Sequence, residues 1–350
     1  MSGDVIGVGL VGYGTSGADL HAPLIGAEAR LRLRAVVSGK PDRVHRDLPS
    51  VPVVPEATRL LDDPTVELVV VAAPNTVHHE LARTALLAGR HVVVDKPFVV
   101  TSAEADDLIE LAERQGRRLS VFHQRRWDSD FLTVKRCVRR GVLGRVSTYI
   151  ARYDRFSPDP MAHRWQEQDQ RGAGLLYDLG PHLIDQAVSL FGLPETVIAD
   201  VRAQRPGAVV DDYFHLVLGY GQLRVILHAG SLVRATGPRF EVHGDAGSFV
   251  KHGLDGQIAA LLAGGRPGDP GWGTEDEDRY GTLTTDAGGL PLAGRLAGVP
   301  GAYESFYREM AAAIRGEGPV PVPAEEARDT IKVIECALLS SKDGRAVAVR

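Results

Sequence analysis

A lysine that follows a buried strand is the first side chain in this 350-residue sequence that could move a proton. Lys96 comes directly after the β-branched run His91–Asp95 and precedes Pro97. Open α/β sheets bind ligands at the carboxyl ends of their parallel strands. An ammonium group there can hydrogen-bond a substrate hydroxyl and stabilise the oxygen as its proton leaves. Taken alone, a solvated surface lysine is the commoner case.

An aspartate and a histidine four residues apart form the second candidate group. The apolar pattern predicts a helix over 174–191, on which Asp178 and His182 share one face. The carboxylate would orient the imidazole and stabilise its protonated form, which makes the histidine a competent base. Because proline prefers the first turn of a helix, Pro181 favours a start near His182. The same pair could equally be structural.

A glycine-rich loop, Gly12–Gly17, follows the strand-like run Val5–Val11 and precedes a helical segment. It reads G-x-G-x-x-G, in which the glycines permit a tight turn and close approach of the backbone to a pyrophosphate. The following helix N-terminus offers N–H groups to the phosphates. The motif alone is weak, but its strand–loop–helix context favours dinucleotide binding over a mere turn.

The second strand ends at Val37, where an acidic residue would bind the ribose hydroxyls of NAD. Here Ser38, Lys40 and Arg43 follow instead. A hydroxyl and cations suit the additional 2′-phosphate of NADP. We therefore expect NADP(H) to be preferred, with NAD(H) as a second cofactor, unless Lys40 and Arg43 are ordinary surface charges.

The elements that carry these residues alternate between strands and helices in the first third of the chain. Continuous apolar runs such as Leu68–Ala72 are typical of parallel strands that are covered on both faces. Thr101 and Glu104 form a capping box at the start of a helix. The β-α-β-α order predicts an N-terminal doubly wound Rossmann sheet over residues 1–121.

Strands that follow one another without helices between them predict a different second domain, residues 122–350, in the α/β class with an open-faced, mainly antiparallel sheet. We expect an apolar face of this sheet, with Leu216, Leu218, Val225 and Leu227, to be exposed in a monomer. A homodimer or homotetramer would cover it.

Composition excludes several classes of function. The net charge is −5, and basic residues alternate with acids, so no nucleic-acid surface is expected. No apolar stretch approaches a membrane span. Two cysteines, without metal-ligand spacing, predict neither a disulfide framework nor a metal site. The absence of a signal-peptide pattern together with these thiols predicts a cytoplasmic protein.

Taken together, these motifs resemble the Gfo/Idh/MocA family of oxidoreductases over nearly the whole chain. The shared segments include Gly12–Gly14, Pro74–His78, Ala88–Pro97 and the spacing Asp178-x-x-x-His182. The resemblance implies a Rossmann domain, a C-terminal α/β domain with an open sheet, a cis Lys96–Pro97 bond and a catalytic set of Lys96, Asp178 and His182. The family usually has glutamate in place of Asp95.

The resemblance is strongest to members that oxidise scyllo-inositol with NADP, through segments such as His21–Leu24, Arg125–Phe131 and Asp212–His215. It assigns one set of residues to the cofactor and another to the substrate. The cofactor set is Gly12, Tyr13, Gly14, Thr15, Ser16, Gly17, Ser38, Lys40, Arg43, Pro74, Asn75, His78, Lys96 and Pro97. The substrate set is Arg126, Trp127, Tyr153, Arg164, Trp165 and His182, whose donors and flat rings suit a polyol.

The sequence thus predicts hydride transfer between a nicotinamide and a secondary alcohol carbon of a cyclic polyol. Three alternatives stay open. The substrate could be an aldose, because fold does not decide the substrate. The chain could be a non-catalytic NADP-binding regulator, which would have no use for the proton-transfer set. It could also run dehydratase or glycosidase chemistry with transient oxidation, for which the sequence reveals no extra acid–base groups.

Overall fold

The computed structural model describes residues 5–161 and 163–349. Contacts between residues divide the chain into two compact units. The first contains the residues up to Gln124 together with Gln257–Trp272 and Ala302–Arg328, and the second contains Arg125–Gly256, Gly273–Gly301 and the residues from Asp329 on. Two segments from the later half of the chain therefore pack with the N-terminal residues. No helix among the described residues is both long and apolar enough to cross a bilayer.

The first unit is built on a six-stranded parallel sheet in the order β3-β2-β1-β4-β5-β6. This is the strand order of a Rossmann fold, as the sequence predicts. Every residue of β1 is buried because helices cover both faces of the sheet. Its strands are β1 Ile6–Val11, β2 Leu31–Val37, β3 Val53–Val54, β4 Val66–Val71, β5 His91–Asp95 and β6 Leu119–Phe122.

Helices of the first unit start and stop where local signals require. At the start of α5, the hydroxyl of Thr101 accepts the Glu104 N–H at 3.3 Å, and Glu104 Oε2 accepts the Thr101 N–H at 3.1 Å. This confirms the predicted capping box. The helices are α1 Ala22–Ala27, α2 Pro41–Asp47, α3 Ala57–Leu61, α4 His78–Leu87 and α5 Ser102–Arg114, with α9 Gln257–Leu262 and α10 Glu304–Ile314 from the later segments.

The second unit contains a nine-stranded mixed sheet in the order β14-β13-β12-β11-β7-β10-β9-β8-β15. Among the described strands of this sheet only the pair β7 and β10 is parallel, so the sheet is mainly antiparallel, as predicted. The strands are β7 Val146–Arg152, β8 Thr196–Arg202, β9 Tyr213–Tyr220, β10 Leu223–Gly230, β11 Phe240–Gly244, β12 Gly247–Lys251, β13 Gly281–Ala287, β14 Leu290–Leu296 and β15 Val347–Ala348. The helices are α6 Ser129–Arg139, α7 Leu175–Asp178 and α8 Gly180–Phe191, and the division between the units falls within α11 Ala324–Asp343.

One prediction about this sheet is wrong. Leu216, Leu218, Val225 and Leu227 were expected on its uncovered face, yet all four are fully buried. They alternate onto the side where α7 and α8 contact β9 and β10. The opposite face carries the half-exposed neighbours, such as the cross-strand pair Val217 and Ile226. Because side chains alternate along a strand, burying one apolar row turns the other row outward.

Candidate active site

Each glycine of the loop after β1 has a separate structural reason. Gly12 has φ +100°, and a Cβ there would lie 2.4 Å from the carbonyl oxygen of Ala72. A Cβ on Gly17 would lie 2.2 Å from the carbonyl oxygen of Gly12. A Cβ on Gly14 would meet nothing within 4 Å. The first glycine therefore makes the turn, the third allows close packing, and the second leaves open space beside the backbone. This is the division of roles in a dinucleotide loop.

A helical segment follows the loop directly, which completes the cradle for a pyrophosphate. A π-helical turn over Ser16–His21 follows Thr15 directly, and α1 continues from it. The first N–H groups of a helix have no acceptor in the preceding turn, and the dipole makes that end positive. The open space at Gly14 lies just before these N–H groups. The residues present therefore fit a bound dinucleotide.

Four of the predicted cofactor residues form two separate contacts, one at the end of β2 and one between α2 and the glycine loop. The Ser38 hydroxyl accepts the Lys40 N–H at 3.0 Å. The Arg43 guanidinium lies 5.9 Å from the centroid of the Tyr13 ring and 3.6 Å from Asp19 Oδ1. Burial raises the pKa of Tyr13 to about 12, with Asp47 adding to the effect and Arg43 opposing it, so the phenol stays neutral. Sequence reasoning missed Asp19 because the carboxylate comes from the helix after the loop.

His78 joins the turns after β4 and β5. It is buried, with Nε2 at 2.8 Å from the carbonyl oxygen of Ala73 and Nδ1 at 2.9 Å from that of Pro97. Burial lowers the pKa of His78, so the neutral ring donates one of these contacts. Asn75 is buried in the 3₁₀ turn that Pro74 opens. Cofactor contacts of these residues remain predictions.

Lys96 lies where the sequence predicts, immediately after β5. The Lys96–Pro97 peptide bond is cis, as the resemblance implies. The Lys96 backbone N–H donates to Asp95 Oδ1 at 2.8 Å. The side chain of Lys96 is half-buried, whereas Phe98 behind it is fully buried. The lysine is therefore held at the carboxyl edge of the parallel sheet, in the first unit.

Asp178 and His182 belong to the second unit and do not share one continuous helix. The predicted helix over 174–191 is wrong in this respect, because α7 ends at Asp178 and α8 begins at Gly180. Pro181 occupies the first turn of α8, as its ring requires. His182 is buried, with 4 % of its surface exposed, and Asp178 is half-buried. The histidine therefore lies in the first turn of a helix.

Asp178 lines a small polar cavity within the second unit, together with Arg155, Arg164, Gly174 and Asp211. The cavity volume is about 10 Å³, room for about one water molecule. Arg155 Nε is buried and has no hydrogen-bond partner among the described residues. Burial raises the pKa of Asp211 to about 6, although the Leu176 N–H donates to its Oδ2 at 2.7 Å. Guanidinium and carboxyl groups thus face the same space.

A buried ion network supports one wall of this cavity. Arg205 Nε donates to Asp212 Oδ2 at 2.8 Å, and Arg205 Nη2 donates to Glu167 Oε2 at 3.1 Å. Sequence reasoning missed Arg155, Arg205 and Asp211 as site residues. The doublet Asp211-Asp212 before β9 was the available signal, since adjacent carboxylates at a strand start need partners.

The remaining predicted substrate residues have well-defined places in the second unit. Arg126 is buried and bidentate to Asp185, at 2.8 and 2.6 Å. The Tyr153 hydroxyl accepts from Arg125 Nη2 at 2.6 Å. Trp127 is half-buried, as is Trp165, which follows Arg164 in a 3₁₀ turn. Arg164 lines the cavity described above, whereas the other four are not among the described residues that line it.

Comparison with known protein families decides the relationship. The model for the oxidoreductase family's NAD-binding Rossmann fold matches residues 6–123, and the model for its C-terminal alpha/beta domain matches residues 135–349. The chain belongs to the Gfo/Idh/MocA oxidoreductase family. It is therefore an NAD(P)-dependent oxidoreductase that acts on CH–OH groups.

Relatives within the family match along the whole chain. The scyllo-inositol 2-dehydrogenase (NADP(+)) IolW of Bacillus subtilis is 43 % identical over 344 residues, which cover 98 % of this chain and 96 % of that protein. The uncharacterized oxidoreductase YdgJ of Escherichia coli is 46 % identical over 339 residues, 97 % of each chain. The structure of the Bacillus subtilis oxidoreductase YvaA superimposes with a TM-score of 0.97 at 42 % identity, covering 100 % of both chains.

Proposed function

We propose that this oxidoreductase is NADP-dependent and interconverts a secondary alcohol and a ketone on a cyclic polyol, with scyllo-inositol and scyllo-inosose as the substrate pair. The observation that carries the proposal is the 43 % identity, over nearly the full length of both proteins, to an NADP-dependent scyllo-inositol 2-dehydrogenase. Lys96, Asp178 and His182, the set that the family resemblance assigns to catalysis, are all present.

The preference for NADP(H) over NAD(H) is supported by the groups at the end of β2. Ser38, Lys40 and Arg43 offer a hydroxyl and two cations where an NAD-preferring site has a carboxylate. Arg43 faces the Tyr13 ring, which limits the directions in which its guanidinium can point. A phosphate with nearly two negative charges forms stronger hydrogen bonds with such groups than a ribose hydroxyl does.

The proton chemistry falls to three side chains. A bound nicotinamide would supply the hydride acceptor or donor at the carbinol carbon. In the oxidation direction His182 accepts the hydroxyl proton, Lys96 stabilises the oxygen by hydrogen bonding, and Asp178 favours the protonated imidazole. In reduction, His182 returns the proton to the carbonyl oxygen. The first-turn position of His182 in α8 fixes its backbone, which reduces the freedom of the ring.

Recognition of a polyol is supported by the polar cavity that Asp178 lines. Its guanidinium groups, from Arg155 and Arg164, donate hydrogen bonds, whereas the carboxyl groups of Asp178 and Asp211 accept them. A hydroxyl both donates and accepts, so walls of both kinds suit one hydroxyl of a polyol, which is as much as a cavity with room for about one water molecule can hold. The same groups would serve a hydroxyl of an aldose equally, and an aldose dehydrogenase is therefore the second candidate.

We further propose that the first domain, 1–121, binds cofactor, that 122–350 binds substrate, and that the protein is a cytoplasmic homodimer or homotetramer. The half-exposed face of the nine-stranded sheet supports the oligomer, because it mixes apolar residues such as Val217 and Ile226 with polar ones such as His215. Interfaces between protein subunits commonly combine apolar and polar residues.

The test is a substrate screen that follows NADPH and NADH absorbance with inositols, their ketones and aldoses. Turnover of an inositol with NADP and none with aldoses supports the proposal, whereas turnover of an aldose alone overturns the substrate assignment. Lys96→Ala and His182→Ala should each lose about 10²–10⁴ in turnover and still bind NADPH. The double variant should lose less turnover than the two single losses together predict, since the two residues act as a unit.

Exposed residues of the same types provide matched controls. Lys342→Ala and His252→Ala remove a lysine and a histidine that are both exposed, and turnover should not change. Asp178→Asn should be milder than His182→Ala and should shift the pH profile of turnover. If Lys96→Ala and His182→Ala both kept wild-type turnover, the catalytic assignment would fail. A wild-type protein that binds NADPH and turns over none of the substrates would instead favour the alternative of a non-catalytic NADP-binding regulator.

A further inference from the structure

A buried chain of three polar side chains lies behind Lys96 in the first unit. Its members are Asp95 at the end of β5, His21 at the end of the π-helical turn, and Tyr307 on α10. His21 Nδ1 lies 2.5 Å from the Tyr307 hydroxyl, and His21 Nε2 lies 3.7 Å from Asp95 Oδ2. His21 and Tyr307 are both fully buried. The other oxygen of Asp95 accepts the Lys96 backbone N–H.

Asp95 keeps its charge in spite of its burial. Burial alone raises the pKa of this carboxyl, but the imidazole of His21, the hydroxyl of Ser16 and the charge of Lys96 together lower it to about 2. At 3.7 Å the distance between His21 Nε2 and Asp95 Oδ2 is too long for a hydrogen bond, so the imidazole acts on the carboxylate through electrostatics. A buried carboxylate is tolerated only where such partners compensate it.

The hydroxyl of Tyr307 sets the direction in which His21 faces Asp95. A carboxylate attracts an N–H, so a neutral His21 ring carries its proton on Nε2. Nδ1 is then an acceptor, and Tyr307 donates to it. Burial raises the pKa of Tyr307, and the charge of Asp95 raises it further, so this hydroxyl keeps its proton.

Aromatic packing fixes the histidine in this position. The His21 ring lies 4.2 Å from the centroid of Phe122, and Phe122 in turn contacts Phe306 edge-on at 4.9 Å. The other titratable group that interacts with Asp95 is His78, which contacts the backbone of Pro97. The π-helical turn, β5, β6, α4 and α10 thus all present groups to the residues around Lys96.

We propose that His21 and Tyr307 are positioning residues, which orient the Asp95 carboxylate and offset its charge and thereby set the proton affinity of Lys96. The inference rests on the proposed function in that Lys96 is taken as a catalytic group. Asp95 favours the ammonium form of Lys96, since opposite charges attract, and His21 weakens that field. Tyr307 keeps the Nε2–H of His21 directed at Asp95.

The experiment measures how readily Lys96 reacts, without any substrate. The full-length protein is acylated with acetic anhydride over a range of pH, and mass spectrometry follows the peptide that contains Lys96. Exposed Lys40 is the internal reference. His21→Gln should move the half-labelling pH of Lys96 upward, and Asp95→Asn should move it downward, each by about one pH unit. Tyr307→Phe should move it in the same direction as His21→Gln and by less.

Tyr149→Phe is the matched control, because it removes a hydroxyl that is fully buried and has no hydrogen-bond partner among the described residues. Its labelling curve should coincide with that of the wild type. Tyr307→Phe conserves the ring and keeps the test valid if His21→Gln fails to fold. Folding is checked by NADPH binding and by thermal melting.

Unchanged Lys96 labelling in folded Tyr307→Phe, or shifts of the same sign in His21→Gln and Asp95→Asn, would overturn the proposal. With the best substrate, Tyr307→Phe should lower kcat by less than about tenfold at fixed pH, with KM unchanged, and shift the pH profile of kcat upward. If the proposed function is wrong, turnover survives in Lys96→Ala. The shifts in Lys96 labelling do not depend on that outcome.

Discussion

Alanine at two glycines of the loop after β1 should separate binding from folding. Gly14→Ala places a methyl group where nothing lies within 4 Å, and Gly17→Ala places one 2.2 Å from the carbonyl oxygen of Gly12. We expect Gly14→Ala to fold normally and lose cofactor affinity. We expect Gly17→Ala to lose stability, because a backbone oxygen cannot move aside as a flexible side chain can.

The two substitutions should change the stability of the protein in opposite directions. At Gly14 alanine reduces the entropy of the unfolded chain, which stabilises the protein by about 0.4–1 kcal/mol if the conformation is compatible. Its methyl group prevents close approach of a phosphate, and losing one charge-assisted hydrogen bond costs about 1.5–3 kcal/mol, or roughly 10- to 150-fold in Kd. At Gly17 overpacking costs about 1–3 kcal/mol, which lowers Tm by roughly 2–12 °C.

Two measurements on each variant are sufficient. Tm without cofactor reports the fold, and titration of NADPH by fluorescence reports the loop. Gly26→Ala is the control, since a Cβ at Gly26 in α1 also meets nothing within 4 Å, and it should leave NADPH affinity unchanged. Wild-type NADPH affinity in Gly14→Ala, or an unchanged Tm in Gly17→Ala, would refute the roles assigned to these glycines.

Three further predictions concern the cofactor, the cavity and the sheet. Lys40→Asp should weaken NADPH by about 1.5–3 kcal/mol and leave NADH binding nearly unchanged, which parallel fluorescence titrations would measure; equal losses for both cofactors would contradict it. Asp211 has a pKa of about 6 in the folded protein, above the ordinary aspartate value of 3.8, so it contributes stability that is present below about pH 4 and lost as pH rises through 6. Urea unfolding should show up to about 3 kcal/mol of this dependence, and Asp211→Asn should remove it. Light scattering at micromolar concentration should give a dimer or tetramer mass, and a monomer mass would exclude the proposed interface.

Local signals were sufficient to predict the cofactor loop and the position of Lys96. The run from β1 through Gly12–Gly17 into a helix contains its whole signal within a short stretch of chain, and so does the capping box of Thr101 and Glu104. Lys96 is fixed by the end of β5, a continuous apolar run. Such features depend on neighbours in sequence, and a parallel sheet buried on both faces leaves an apolar pattern that is easy to recognise.

Features of the second unit were predicted less well, and the reasons differ. The hairpin of β13 and β14 is largely exposed and lacks an apolar pattern, although Gly288-Gly289 at its turn was a signal, since both have positive φ. The apolar period continues through Leu179 and predicts one helix over 174–191, whereas Pro181 correctly indicated a helix start near His182. The buried row of β9 was assigned to the wrong face, because alternation reveals that two faces differ and not which one the helices cover.

The cluster behind Lys96 shows why the sequence reveals a catalytic residue more readily than the residues that position it. Asp95 adjoins Lys96, but His21 and Tyr307 are separated by 286 residues in the chain, and neither belongs to a motif that specifies a charge partner. Only the packing of the π-helical turn and α10 against the end of β5 brings them together. A lysine at a strand end identifies a candidate site from the sequence alone. The electrostatic field at that lysine depends on side chains that only the fold brings close to it.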